Sequence, residues 1–417
     1  MRQPTLRQVW MSARPCVWVV GTFDTKAEEL QYLATLIEQA GVPVCTVDVS
    51  TQDTTVRADI PAAEVASFHE SGADSVLDTT DRGQAVIAMG QALRRLVETR
   101  HQKGHILGII GIGGSGGTSM IAPALHTLPY GMPKLLVSTL ASGTVTPFVD
   151  VYDIMVLNPV TDFAGLNRLS RLILANAAHA IAGMVMHALP QVTEDDRPAL
   201  GLTMFGVTTE CVQAVSRLLN DRYDCQVFHA NGMGGRTMEA LARAGMLRAI
   251  VDITTTEVGQ HLAGGVCDAG PDRLAAAAEL GIPWVGSVGA LDMINWGPRD
   301  TVPTQFGERL FHVHNAQVTL MRSTAEELAL AGERIASRLN QSPGLVRLLL
   351  PMKGLSAIDK PGQPFHDPDA NKALWHAIDQ YFIQTPLHRL EKLPLHINDA
   401  EFSAEVAKTV DSILTTV

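Results

Sequence analysis

At 417 residues, 46% of them hydrophobic and 18% charged, the chain is long enough for two or three globular domains with large cores. Its formal charge of −11 argues against nucleic acid or an anionic membrane as a general partner, since both want basic surface. Five scattered cysteines (Cys16, Cys45, Cys211, Cys225 and Cys267) show no CxxC spacing and read as buried, reduced thiols of a cytoplasmic protein.

Residues 1–13 carry two arginines and no apolar segment, which reads as a frayed leader rather than a signal peptide. No run of about 18 apolar residues suggests a membrane span. From residue 15 onward, strands alternate with helices. The apolar run 16–20 ends in Gly21-Thr-Phe-Asp-Thr-Lys26, and 26–39 has helical spacing through Leu30, Leu33, Leu36 and Ile37. A strand follows over 42–49, then a polar, irregular stretch over 50–80 and a long helix over 81–100. Further on, a strand runs from Ile106 into a glycine loop, a helix covers 120–128, strands cover 134–140 and 154–157, and an apolar helix covers 166–189.

The polar, proline-bounded segment 191–197 reads as a linker. A second alternation begins at Leu200, with strands ending near Met204, Val227, Ile250 and Val285, and apolar runs over 310–313 and 345–350. Helices are expected over 210–219, 238–244, 272–280 and 325–339. This alternation predicts two Rossmann-like, doubly wound α/β domains, 14–190 and 198–417, with mainly parallel sheets and a cleft between the domains.

Five glycines fall within the seven residues Gly111 to Gly117, directly after the buried run Ile109–Ile110. Strand, glycine loop and helix N-terminus together offer backbone N–H groups to a phosphate. Gly111-x-Gly113-x-x-Gly116 matches the dinucleotide fingerprint, but the next strand ends in Ser138-Thr-Leu-Ala-Ser142 without the acid that would hold an NAD ribose. Read as a P-loop, the same residues place Gly117 where the lysine belongs. The expectation is therefore a cradle of backbone N–H groups at Gly113, Gly114, Ser115, Gly116 and Gly117, with a hydroxyl from Thr118 and the cation supplied from elsewhere.

Thr22, Asp24, Thr25 and Lys26 follow the first strand and open at the same sheet edge. Asp24 or Thr25 can cap the helix, whereas a lysine in the first turn opposes the helix dipole unless an anion compensates. Asp48, at the end of the second strand, is a candidate acceptor for ribose hydroxyls. Ser142, Gly143 and Thr144 are further phosphate donors, and Asp150, Asp153 or Asp162 could hold Mg²⁺ through water.

These motifs, with Asn158-Pro-Val160, Phe228-His-Ala-Asn-Gly-Met-Gly-Gly235, Asp252-Ile-Thr-Thr-Thr-Glu257 and Leu350-Pro-Met-Lys-Gly-Leu-Ser356, make the chain resemble an uncharacterised protein family. That family includes the ATP-binding region of the tomato mosaic virus resistance protein. The resemblance spans nearly the whole chain after residue 14. It implies two α/β domains, ATP in the first of them, and a homodimer.

In the second domain, His229, Asn231 and Glu257 lie just past strand ends beside Asp252. His312 and His314 would share one face of a strand. These histidines could ligate a metal with Asp252 or Glu257, or position a carbonyl or carboxylate substrate with Lys353 as electrophile or base. Lys353, Asp359, His366 and Asp367 form a polar loop, and His229, Lys353 and Glu257 are the candidate catalytic residues. The expected function is an ATP-binding cytoplasmic protein that acts on a small metabolite by phosphoryl transfer or ATP-driven ligation. The alternatives are a non-catalytic ATP sensor or partner-binding module, and a metal-dependent lyase or hydrolase of a phosphorylated substrate.

Overall fold

The computed structural model describes residues 14–188 and 196–415. The expected leader, and most of the expected linker, lie outside the described residues. The chain divides into two compact units, Met1–Val192 and Thr193–Val417, each taken by itself below.

The N-terminal unit is built from β1 (Cys16–Gly21), α1 (Phe23–Gln39), β2 (Val44–Asp48), α2 (Arg82–Gln102), β3 (Ile106–Gly113), α3 (Ser115–Leu125), β4 (Lys134–Ser138), β5 (Met155–Leu157) and α4 (Arg168–Met186). All its strand pairs are parallel, in the order β2-β1-β3-β4-β5. β1 and β3 carry continuous apolar runs because helices cover both faces of the sheet. Trp18 and Val20 face α2 and α3, while Val17 and Val19 face α1 and α4. α1 buries Leu30, Leu33, Ala34 and Ile37, the i, i+3, i+4, i+7 set of one helical face. Each such leucine or isoleucine contributes about 1.5–3 kcal/mol. The stretch over 50–80 holds two short helices, Ala62–Ala66 and Asp74–Leu77. By length and composition α4 is apolar enough to cross a membrane, contrary to the sequence expectation, yet its Leu174, Ala177, Ala178 and Ile181 are buried in this core.

The C-terminal unit comprises β6 (Ala199–Met204), α5 (Thr209–Leu219), β7 (Asp224–His229), α6 (Met233–Arg243), β8 (Ala249–Asp252), α7 (Thr256–Ala263), β9 (Trp284–Gly286), β10 (Met293–Trp296), β11 (Phe311–Asn315), β12 (Val318–Arg322), α8 (Ala325–Leu339), β13 (Val346–Pro351), α9 (Pro368–Tyr381), β14 (His388–Leu393) and α10 (Ala400–Leu414). Six strands form a parallel sheet in the order β14-β13-β9-β8-β6-β7. Taken in order of appearance, its strands repeat the winding of the first sheet and add one more. A small antiparallel sheet, β10-β12-β11, is an addition the sequence pattern did not reveal. α8 starts at a capping box in which Thr324 and Glu327 satisfy each other's backbone N–H groups. All five cysteines are free, and only Cys225 is not fully buried.

Candidate functional site

β1 and β3 are neighbours, with Val20 beside Gly111, so their C-terminal ends emerge side by side. The helices that follow them leave to opposite faces of the sheet. That reversal opens a crevice at the strand ends, the place where open α/β sheets bind ligands. Both loops singled out in the sequence, 21–26 and 111–117, border it.

The glycines in the second of these loops have different duties. A Cβ on Gly111 would sit 2.8 Å from the Ile121 side chain, and one on Gly113 would sit 2.8 Å from the Gly117 Cα, so these two glycines allow strand and helix to pack closely. A Cβ on Gly116 meets nothing within 4 Å, and one on Gly114 meets only the Thr139 Oγ1, at 3.6 Å. Gly114 is the N-cap of α3 and supplies no side-chain cap. The first backbone bond of α3 runs from Thr118 N–H to Gly114 C=O at 2.9 Å. The N–H groups of Ser115, Gly116 and Gly117 therefore have no acceptor among the described residues.

Thr118 departs from expectation. It is buried, and its hydroxyl shares a 2.7 Å hydrogen bond with Ser138 Oγ, so it ties β4 to α3 and is not a phosphate donor. Ser142, Gly143 and Thr144 are exposed at the end of a 3₁₀ turn, Thr139–Ser142, and Ser142 donates to Thr139 C=O at 3.3 Å. Thr139, which the sequence reading passed over, lies closer to the glycine loop because Ser138 pairs with Gly113.

On the other side of the crevice, neither Asp24 nor Thr25 caps α1; Thr22 holds the N-cap position without a side-chain bond. Thr22 and Thr25 hydroxyls lie 2.8 Å apart, Thr25 Oγ1 donates to Asp24 Oδ1 at 3.1 Å, and Lys26 Nζ donates to Thr25 Oγ1 at 3.1 Å. Helical geometry breaks at Lys26, with φ −134° and ψ 23°. Among the described residues, Lys26 has no carboxylate partner. One oxygen of Asp48 is committed to the protein itself. The residue is 3% exposed, and its Oδ1 accepts from Phe23 N–H (3.1 Å), Ser50 N–H (2.8 Å) and Ser50 Oγ (2.5 Å), which fixes the β1–α1 turn.

Of the candidate magnesium acids, Asp153 falls elsewhere. Asp153 pairs with the buried Lys134 at 2.8 Å, at the start of β4 and hence on the opposite rim of the sheet. Burial draws the Lys134 amine down from its ordinary range, and the Asp153 bond opposes that. Asp162 accepts from Phe163 N–H at 2.8 Å, and Asp150 holds φ 47° in the turn after a short helix.

The C-terminal unit closes around one arginine. Arg273 is 4% exposed and meets three buried carboxylates. It grips Asp252 with two nitrogens at 2.8 and 2.7 Å, Glu257 at 2.7 Å and Glu239 at 3.1 Å. Burial works against the Arg273 charge, but Asp252 and Glu257 hold it well above its ordinary range. Burial lifts the Glu239 carboxyl, because one arginine cannot fully compensate three acids. Glu239 also accepts from Leu274 N–H at 2.6 Å and Ala276 N–H at 3.1 Å. This pins Leu274 at φ 73°, so the helix expected over 272–280 begins only at Ala275.

Glu257 is thus no catalytic base. Its second oxygen accepts from Gly232 N–H at 2.7 Å and Gly235 N–H at 3.0 Å, and so fills the glycine turn that starts α6. His229 is exposed and stacks on Phe205 at 5.1 Å. Lys353 is exposed beyond β13, four strand spacings from β7, or roughly 19 Å at 4.8 Å per strand. His312 meets Phe365 edge-on at 6.4 Å. Strand pairing slips between Val313 and Asn315, so the alternation that would align His314 with His312 does not run through. Asp367 caps α9 by accepting from Ala370 N–H at 2.9 Å. Among the described residues no group of three or more His, Cys, Asp or Glu side chains is arranged to hold a metal ion. No sequence pattern announces Arg273, which stands alone between a Gly-Pro turn and an alanine run.

Comparison with known proteins covers both units. Residues 15–190 match the N-terminal domain, and residues 197–414 the C-terminal domain, of the uncharacterised protein family UPF0261. A family protein from Mesorhizobium japonicum is 50% identical over 95% of this chain and 98% of its own length. One from Clostridium tetani is 40% identical over 95% of this chain and 98% of its own. The tomato mosaic virus resistance protein Tm-1 of Solanum lycopersicum is 40% identical over 97% of this chain but 56% of its own length. With its two halves matched in order by the family's two domains, the chain belongs to UPF0261.

Proposed function

We propose that the N-terminal unit binds ATP in the crevice between β1 and β3. The observation that carries this reading is the set of free N–H groups at Ser115, Gly116 and Gly117, at a sheet's switch point, over glycines that leave room above them. The terminal phosphates rest on those groups, and Lys26 supplies the cation that the loop lacks. Hydrogen bonds to a charged partner contribute about 1.5–3 kcal/mol each, so three or four suffice to fix a triphosphate. The family resemblance favours ATP over other nucleotides. Mg²⁺ arrives with the triphosphate, since Asp153, one of the acids expected to hold it, is paired with Lys134 on the far rim.

The chemistry this geometry supports best is nucleotide binding without turnover, since Glu257 is locked to Arg273 and His229 follows a strand four spacings from that of Lys353. Phosphoryl transfer or ligation on a small metabolite is the second reading. It is favoured by Lys353, which is exposed and has no ion pair among the described residues.

Thermal shift tests the proposal. At a ligand concentration of about 100 Kd, ATP should stabilise the wild type by about 2.7 kcal/mol. Gly116→Val should melt like the wild type without ligand and lose the ATP shift, because the added side chain occupies only the ligand's space. A shift with NAD or a sugar phosphate but not ATP, or an unchanged shift in the variant, would sink the reading. Phosphate release on adding a metabolite would select the second one.

A further inference from the structure

Two loops at the C-terminal rim of the second large sheet interlock. One runs through residues 287–292 after β9, the other through 352–359 after β13. Ala290, held at φ 57°, donates its N–H to Leu355 C=O at 2.9 Å, and Ser356 Oγ donates to Asp292 Oδ2 at 2.7 Å. A non-glycine residue in that conformation is strained and persists only where its surroundings hold it. Each loop ends in an aspartate, Asp292 and Asp359, and both are fully buried. In each, one oxygen, Oδ1, is buried without a hydrogen-bond partner.

Two buried orphan acceptors in one cluster call for an explanation. The surrounding groups narrow the choice. Arg322, from β12, spends its donors on the carbonyls of Asp292, Ser323, Phe365 and Asp367 and on Asn371, and reaches Asp359 Oδ1 only at 4.0 Å. His366 Nδ1 lies 3.9 Å from the same oxygen. His396 faces the cluster from the loop after β14, bonding Ser356 C=O at 2.9 Å. The Arg322 guanidinium and the absence, among the described residues, of a third ligating side chain disfavour a metal ion. Asp359 is the better supported anion, because its Oδ2 also accepts from Leu355 N–H at 2.9 Å and Asn371 Nδ2 at 2.7 Å. Asp292 has a single neutral hydroxyl.

We propose that Asp292 and Asp359 hold one proton between them, carried on Asp292, and that this proton fastens the two loops together. Asp292 then has a hydrogen to donate, and Asp359 Oδ1 is the acceptor left open. Burial, reinforced by the Asp359 charge, pushes the Asp292 carboxyl up to about 7, and burial raises Asp359 as well.

The raised group sets the direction of the pH effect. Its contribution is complete below the unfolded value of about 4 and is lost as pH climbs to about 7. Over that window the unfolding constant of the wild type should rise by up to about tenfold per pH unit relative to Asp292→Asn, whose amide mimics the protonated acid. The variant should match the wild type near pH 4 and exceed it by a margin that widens to about pH 7 and then levels off, in denaturant titrations. Identical pH profiles would overturn the proposal. So would a divalent cation that raises the melting point of the wild type, but not of the variant, under alkaline conditions. Should the variant not fold, infrared spectra of wild-type protein with isotope-labelled aspartate decide. One buried protonated carboxyl, lost between about pH 6 and pH 9, is expected, and none at the lower pH refutes the inference.

Discussion

The two large sheets start with the same winding, yet their switch points have opposite fates. Between β1 and β3 the glycine loop leaves three N–H groups of α3 without an acceptor among the described residues. Between β6 and β8 the corresponding space is filled by the protein itself. Thr203 donates to Asp252 at 2.6 Å, Thr208 and Thr254 hydroxyls meet at 2.8 Å, and all four side chains are fully buried. The glycine turn of the second unit follows the edge strand β7 rather than the switch point, and Glu257 already occupies it as an internal anion. Similar strand–glycine–helix strings therefore mark one open anion cradle and one plugged one. What separates them is whether a carboxylate from the same unit reaches the N–H groups.

This contrast can be broken from either side. The largest effect is expected at the plug. Arg273→Met leaves three buried carboxylates without their cation and should destabilise the C-terminal unit by about 3–5 kcal/mol, read as a lower denaturant midpoint. A loss below about 1 kcal/mol would mean that the acids are neutralised some other way. Next comes conversion of the open loop. Gly114 has extended N-cap geometry and room for a side chain, so Gly114→Asp should cap α3 as Glu257 serves α6. Calorimetry should show ATP binding lost, while stability gains a few tenths to about 1 kcal/mol. Retained binding would place the ligand elsewhere. The smallest effect belongs to Thr118→Val. Loss of the buried bond to Ser138 should cost about 1 kcal/mol in melting experiments and leave nucleotide affinity unchanged. An affinity loss would restore Thr118 to the site.

Much of the fold was legible because buried parallel strands need unbroken apolar runs and their helices need one apolar stripe. The runs at 16–20 and 106–112 and the stripe Leu30–Leu33–Ile37 allow few other readings. Of the antiparallel strands, β11 was legible as a strand, whereas β10 and β12 escaped notice because they are short and their pairing is written in neither strand alone. Of the candidate site, the glycine loop and Lys26 were readable, since glycine density and a lysine in a helix's first turn both break local rules. Thr118 and Glu257 were misread for one shared reason. A polar residue in the first turn of a helix that follows a strand looks the same in sequence whether it faces a ligand or satisfies groups of the protein itself.

The sequence by itself determined two doubly wound α/β units and the position of the glycine loop at the start of α3, because periodicity and glycine spacing are local properties. Only the tertiary structure decided which polar groups remain free. Arg273 has no neighbour in sequence that reveals its three acids, and Ser356 reaches Asp292 from 64 residues away along the chain. Burial and pairing of charges are long-range facts: desolvation depends on everything that surrounds a group, not on the residues beside it in the chain.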